Sequence, residues 1–357
     1  MNRTDPSTKS LQLLAQQILD VDPQPLAPKL SISVWQAMSM LQKAIRRNDS
    51  HRTAVATSTL LNLDAERFWR RLGVIAFEDV GVSNLPLVYA VTAALAGKRV
   101  RGEFGGDTRV AMALAQCLAN SAKNRSADDL LCIRDQHPDA RDMQHEFQRI
   151  PTERLRSIFV GCPEVLAQAS AAKIIAARSP KPHISVEVEL LENAGAAPAA
   201  IALFVQGKAR VRNDLPFLVA LLTLQNGLRS PNPDDVLPAE IEFAGMPGWA
   251  LDMFTREGKA AIRRLLAHDN ALSQYIRRSF PSAGRTQLLG EAIFRVEGGL
   301  LRKRQDGALG QQLRQIMELE CMGIHPHQAR EVLRLTSSNL ELLNSLRRQV
   351  VWDASNG

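Results

Sequence analysis

A loop that cradles a nucleoside triphosphate needs a glycine five residues ahead of Gly-Lys-Ser/Thr, because its backbone N–H groups close around the phosphates. The chain offers Gly97-Lys98, Gly207-Lys208 and Gly258-Lys259, with Thr92, Ala202 and Met253 where that glycine belongs. None of the pairs is followed by Ser or Thr, so no nucleotide is expected. His145-Glu146 opens like a zinc-protease helix, but Arg149 stands where the second histidine ligand is required. His325-Pro326-His327 has two imidazoles with no companion carboxylate or thiol at useful spacing. Cys117, Cys132, Cys162 and Cys321 show no CxxC spacing and read as reduced thiols. No Gly-x-Ser-x-Gly elbow is present. Glu78-Asp79 is the most suggestive acidic pair, but adjacent helical residues point about 100° apart, which favours capping and packing at a helix end. The expectation is therefore no catalytic residue, no metal and no cofactor, and a protein that is not an enzyme. An active site assembled from distant residues would leave no spacing signature.

Charge points elsewhere. The net charge is +7, carried mostly by arginines that often stand in pairs. A basic surface favours polyanions, and the arginine fork matches phosphate geometry. Residues 244–304 concentrate Arg256, Lys259, Arg263, Arg264, Arg277, Arg278, Arg285, Arg295, Arg302, Lys303 and Arg304 against Asp252, Glu257, Asp269, Glu291 and Glu297. Arg263, Arg264, Arg277, Arg278, Arg302, Lys303 and Arg304 are the expected DNA contacts, with Arg46 and Arg47 as a secondary patch. The same face could meet an acidic partner protein instead. With aromatics at 5%, the interleaved aromatic–basic pattern of single-strand binders is missing, and Trp35, Trp69 and Trp249 are expected in the core.

Helices must position these groups. Trp35, Met38, Leu41 and Ile45 recur at the spacing of one buried helix face, with Ser33 as N-cap and Lys43, Arg46 and Arg47 on the opposite arc. Further helices are expected at about 53–61, from Asp64 to Gly81, at 85–96 and at 108–119, with a glycine-rich break at 97–106. From 127 to 240 prolines punctuate short helical segments. Ile184–Leu190 alternates like a strand without an evident partner, so an exposed edge and a mispatterned helix both stay open. Residues 230–238 read as a loop. Helices resume at about 248–266, 271–280, 286–304, 310–322, 327–335 and 338–351. No fixed-period repeat indicates a solenoid. No apolar run approaches the roughly 18 residues of a membrane span, and the polar opening Met1-Asn2-Arg3-Thr4-Asp5 leads us to expect no signal peptide and a cytoplasmic location.

Three stretches carry a resemblance. They are Leu41–Asp49 followed by Trp69-Arg70-Arg71-Leu72-Gly73-Val74-Ile75-Ala76-Phe77-Glu78-Asp79-Val80-Gly81, then Ala113–Asn124, then Met246–Gly258. They resemble the C-terminal helical region of the RarA/MgsA family of clamp-loader-like AAA+ ATPases, where an "AIRxSD" helix precedes "ARRLxxIAxEDIG" and "LAQAxxxLAxxPKS" helices. The family's ATPase core would precede the first stretch and has no counterpart here, so ATPase activity is not carried over. The resemblance implies a helical collar, self-association through it, and a setting in replication or recombination. Together these readings predict an all-α chain: a polar arm and linker at 1–30, a collar-like bundle at 31–126, a large helical insertion at 127–240, and a basic C-terminal helical region at 241–357. The expected role is a DNA-associated accessory of replication, recombination or mobile-element maintenance that holds phosphates without strong sequence preference. A protein-binding scaffold for an acidic partner is the alternative.

Overall fold

The computed structural model describes residues 6–19, 27–228 and 230–356, and they are almost entirely helical. In chain order the helices are α1 (Pro6–Leu19), α2 (Val34–Arg46), α3 (Ser50–Leu63), α4 (Ala65–Ile75), α5 (Leu85–Ala94), α6 (Lys98–Glu103) and α7 (Gly106–Asn120). There follow α8 (Ser126–Gln136), α9 (Pro138–Phe147), α10 (Thr152–Gly161), α11 (Val165–Arg178), α12 (His183–Asn193), α13 (Pro198–Val211) and α14 (Leu215–Leu222). After the two-residue strands β1 (Glu242–Phe243) and β2 (Met246–Pro247), which pair antiparallel, come α15 (Arg256–Ala267), α16 (Ala271–Ser279) and α17 (Arg285–Ile293). The last are α18 (Gly307–Glu320), α19 (Pro326–Ser338) and α20 (Leu340–Asn356). The all-α expectation holds.

The chain divides into two units, each discontinuous in sequence. Unit 1 gathers Met1–Gln24, Trp69–Pro233 and Lys303–Met317, and unit 2 gathers Pro25–Phe68, Asp234–Arg302 and Glu318–Gly357. The four consecutive regions expected from the sequence do not map onto these units. The 31–126 region is split at Phe68/Trp69, and 127–240 falls in unit 1 only as far as Pro233. Within the expected N-terminal arm, α1 buries Leu14 and Ile18, an i,i+4 pair, and packs against α5. Arg3 and the side chain of Lys9 lie outside the described residues.

In unit 1, all eight residues of α14 are buried, and Phe217 meets Phe159 and Phe204 at ring-centroid distances of 6.3 and 5.8 Å. The alternating Ile184–Leu190 lies in α12. Val186 and Leu190 face the core, and an internally bonded helix leaves no ladder groups in need of a partner strand. The helix α4 continues through a π turn at Ala76–Val80 and a short 3-10 turn at Gly81–Asn84 into α5. Gly81 makes this bend at φ 48°, with the Asn124 carbonyl 3.0 Å from where a Cβ would stand. Ala65–Ala94 is long and apolar enough to cross a membrane by composition, yet most of it is buried inside the protein. Contrary to the expected divergence of Glu78 and Asp79, both reach one cation. Arg125 Nη1 donates to Glu78 Oε1 at 3.0 Å and Asp79 Oδ1 at 2.6 Å, while Nη2 bonds Asp128. The π turn and the wholly buried Asp79 make this a clamp inside the core.

Unit 2 is organised by an apolar cluster that joins Ala261, Ile262 and Leu265 of α15 to Leu272 and Ile276 of α16. Leu289 and Ile293 of α17, Leu335 of α19, and Leu340, Leu343, Leu346 and Val350 of α20 complete it. Ser33 caps α2 in a reciprocal capping box with Gln36, as its spacing predicts. The helix expected to run to Arg304 ends sooner. After α17 a π turn (Phe294–Gly298) stops at Gly298-Gly299, and Arg302–Arg304 follow in non-helical backbone. Gly73 and Gly290 serve close packing, since a Cβ would fall 2.7 Å from Leu95 Cδ1 and 2.8 Å from Met253 Cβ respectively.

Candidate nucleic-acid interface

A buried scaffold in unit 2 holds the basic helices. Lys43, expected on a polar arc, is 3% exposed, and its ammonium donates to Ser39 Oγ (3.0 Å), the Trp249 carbonyl (2.7 Å) and Asp252 Oδ2 (2.7 Å). Burial drives the Lys43 pKa below its ordinary value, though Asp252 opposes the shift. Burial pushes Asp252 up, and the Lys43 charge and hydrogen bond outweigh it and hold the carboxyl low. Asp252 Oδ1 in turn accepts the Phe254 N–H at 2.8 Å. Thr255 then caps α15, its hydroxyl accepting the Gly258 N–H at 3.0 Å and donating to the Asp252 carbonyl at 2.9 Å. The start of α15 is thus tied to α2 by a continuous polar chain.

The pair Arg46 and Arg47, expected on the surface, is buried at 2% and 6% exposure. The π turn explains why. A helix end leaves carbonyls without intrahelical donors. Arg46 Nη1 donates to the Gly298 carbonyl at 2.9 Å, and Arg47 Nη2 to the Glu297 carbonyl at 2.7 Å. Their guanidiniums also stack over Phe294 (5.3 Å) and Trp249 (4.5 Å). Desolvation lowers the Arg47 pKa to about 10, against the pull of Glu297 and Glu240. Beneath them Glu297 and Arg347 form a bidentate pair, Oε1 to Nη1 at 3.0 Å and Oε2 to Nη2 at 2.7 Å. Burial raises the Glu297 pKa, and the Arg347 charge and hydrogen bonds more than reverse it. Arg46 and Arg47 are positioning groups and cannot reach a ligand from there.

The other expected contacts part in three ways. Arg304, in unit 1, is 5% exposed and bonded to Asp306 Oδ2 at 2.7 Å, so it too leaves the candidate surface. Lys303 is exposed and donates to the Asn120 carbonyl at 2.8 Å. Arg302, in unit 2, lies 3.7 Å from Asp234 Oδ2. Arg263, Arg264, Arg277 and Arg278 are exposed on unit 2. Of these, Arg264 pairs with Asp353 at 2.6 Å, and Arg277 closes the end of α15 by donating to the Leu266 carbonyl at 2.9 Å. Arg263 and Arg278 have no carboxylate within ion-pair distance among the described residues.

The structure adds Arg256 and Lys259. With Arg263 they occupy positions i, i+3 and i+7 of α15, opposite the buried Gly258, Ala261, Ile262 and Leu265. All three are exposed, and none has an acidic partner among the described residues. They form a cationic ridge spanning about 10 Å at 1.5 Å per residue. The i, i+3, i+7 spacing of these α15 charges is legible in the sequence, although the total charge of residues 244–304 does not show it. The tryptophans divide as well. Trp69 and Trp249 are buried at 6% and 3%, whereas Trp35, expected in the core, is 53% exposed beneath the Arg67 guanidinium at 5.8 Å. Phe254 and Trp352 are exposed at 63% and 69%. Among the described residues no three His, Cys, Asp or Glu side chains are grouped to hold a metal. Models of protein families, curated proteins and solved structures show no match to this chain.

Proposed function

We propose that this protein is a non-enzymatic, DNA-associated accessory of replication, recombination or mobile-element maintenance that holds the phosphate backbone through α15 and α16. The observation that carries the reading is the ridge of Arg256, Lys259 and Arg263, three exposed cations on one helical face without carboxylate partners among the described residues. Charges already paired on the protein gain little from a phosphate, and unpaired ones gain the full interaction. Such contacts position a protein without reading bases, so sequence preference is weak. Arg278 extends the set onto the last turn of α16, and Arg264 and Arg277 add charge while held by Asp353 and by helix-end carbonyls.

Fluorescence anisotropy with duplex and single-stranded oligonucleotides over a salt series tests this. Each neutralised phosphate contributes a slope of about −0.9 in log K against log salt. Arg256→Glu with Arg263→Glu is expected to weaken binding and flatten the slope by about 2. Arg154→Glu, at an exposed site of unit 1, is the control. A parent that does not bind at low salt, or a double variant with parental affinity and slope, sinks the reading.

The exposed Trp35 and Phe254 favour a second reading, an adaptor whose basic face meets an acidic protein. A protein partner retained after nuclease treatment, by a chain that binds no oligonucleotide, would select it. Self-association follows from the collar resemblance, and light scattering that gives a 39.3 kDa monomer at tens of micromolar would remove it.

A further inference from the structure

We propose that a cavity in unit 2, between α16, the start of α17 and the loop before α19, binds a large apolar side chain of an acidic peptide segment. The cavity holds about 250 Å³ and its apolar wall is Phe280, Leu288, Met322 and Ile324. That volume lies below the roughly 300–1,000 Å³ of cofactor and small-molecule sites, and it suits one aromatic or long aliphatic side chain. Its rim carries a fixed cation. Arg285 lines it and is held rigidly, with Nε and Nη2 donating to the Phe280 carbonyl at 2.8 and 2.6 Å and Nη2 also to the Arg277 carbonyl at 2.8 Å. Those acceptors are neutral carbonyls that supply no counter-charge, and among the described residues Nη1 has no hydrogen-bond partner. Glu291, the lining carboxylate, is already engaged. Its Oε1 accepts Gln287 Nε2 at 2.9 Å, and its Oε2 lies 3.7 Å from Arg295 Nη1. Arg278, exposed two residues before Phe280, adds a second unneutralised cation at the end of α16.

An apolar socket with a fixed cation at its mouth selects a ligand that presents an apolar side chain beside carboxylates. A basic peptide would meet like charge, and duplex DNA offers no free apolar group to fill the socket. The inference therefore does not rest on the DNA reading, and it can stand or fall separately.

The test uses the full chain and two fluorescein-labelled, Asp/Glu-rich octapeptides that differ only in a central phenylalanine or alanine. Anisotropy is expected to show the phenylalanine peptide binding at least about tenfold more tightly, the order of effect for burying one such side chain. Ala283 is an exposed lining residue, so Ala283→Trp fills the cavity from its rim without disturbing the core. Ile324→Glu places a carboxylate in the wall. Each variant, with parental circular dichroism, is expected to erase the difference between the peptides. Equal affinity of the two peptides for the parent overturns the proposal, as does the absence of binding by either. An unchanged preference in Ala283→Trp overturns the location. The same variant is expected to bind duplex DNA as the parent does, and loss of that binding would assign the cavity to nucleic acid and overturn the peptide.

Discussion

Replacing Glu297 by glutamine should destabilise unit 2 far more than a surface change would. The glutamine keeps the shape of the side chain but withdraws the carboxylate that, among the described residues, is the one bonded to Arg347, which is 1% exposed. The remaining Arg347 partners are neutral, the Leu251 carbonyl at 3.1 Å and Asn344 Oδ1 at 2.8 Å. Breaking a buried pair from one side costs about 3–5 kcal/mol, because the surviving charge stays desolvated. Unit 2 has roughly 150 residues, for which 1 kcal/mol moves Tm by about 2–4 °C, so Tm should fall by about 6–20 °C. Removing both charges tells a different story. Glu297→Leu with Arg347→Met removes both ions of the pair, so although the Leu251 carbonyl and Asn344 Oδ1 lose a donor, the double variant should be clearly less destabilised than the two single changes added together. Urea unfolding of the parent, Glu297→Leu, Arg347→Met and the double variant closes a double-mutant cycle, with an expected coupling of about 3 kcal/mol or more. A loss below about 1 kcal/mol in Glu297→Gln would refute the reasoning, and so would a double variant as unstable as the two single changes added together.

Arg47→Glu should lower the urea midpoint and weaken the proposed DNA binding only in proportion to the unfolded fraction, because Arg47 caps the Glu297 carbonyl from inside the core. An intact fold with lost binding would return it to the ligand surface. Acid should unfold the protein through the carboxyls held low in the fold, Asp107, Asp135, Asp214, Asp252 and Glu297. A depressed folded pKa gives stability that is complete above the unfolded values near 4 and lost as pH falls through the folded ones, so thermal scans from pH 6 to pH 2 should show the drop only below about pH 4. Gly81→Ala should cost about 1–2 kcal/mol for a left-handed residue, read by urea midpoint, with more if the Asn124 carbonyl cannot retreat. Burial first, then Asp128 and Asp129, raise the Cys132 thiol pKa, so iodoacetamide at pH 8 should leave Cys132 unmodified in the native protein. Rapid native labelling there, seen by peptide mass spectrometry, would contradict its burial.

Much of the helical framework was legible in local pattern. The Ser33 cap and the loop after Ser230 depend on neighbours a few residues away, and local sequence carries that information, whereas the break expected over 97–106 instead holds the short helix α6 between turns at Gly97 and Gly105. The exceptions are equally physical. Ile184–Leu190 alternates as a strand would, which leaves an exposed edge and a mispatterned helix both open, and the fold takes the helix, with Val186 and Leu190 facing the core. The pattern after Arg285 reads as one helix to Arg304, and Gly298-Gly299 ends it sooner.

The candidate site shows where local pattern stops. Ala44-Ile45-Arg46-Arg47 and Ala261-Ile262-Arg263-Arg264 are the same tetrapeptide, each within an amphipathic helix or at its end. Composition and periodicity determine that both stretches are helical, that Ala-Ile faces inward, and that the chain as a whole is basic. They assign the two arginine pairs the same fate. The fold separates them, because the first pair meets the freed carbonyls of Glu297 and Gly298 and the rings of Trp249 and Phe294, all of them more than two hundred residues away in sequence. The second pair meets no such acceptors, and Arg263 is left in water. Whether an arginine is a beam or a ligand contact depends on what other parts of the chain bring to it, and a tetrapeptide carries no record of that.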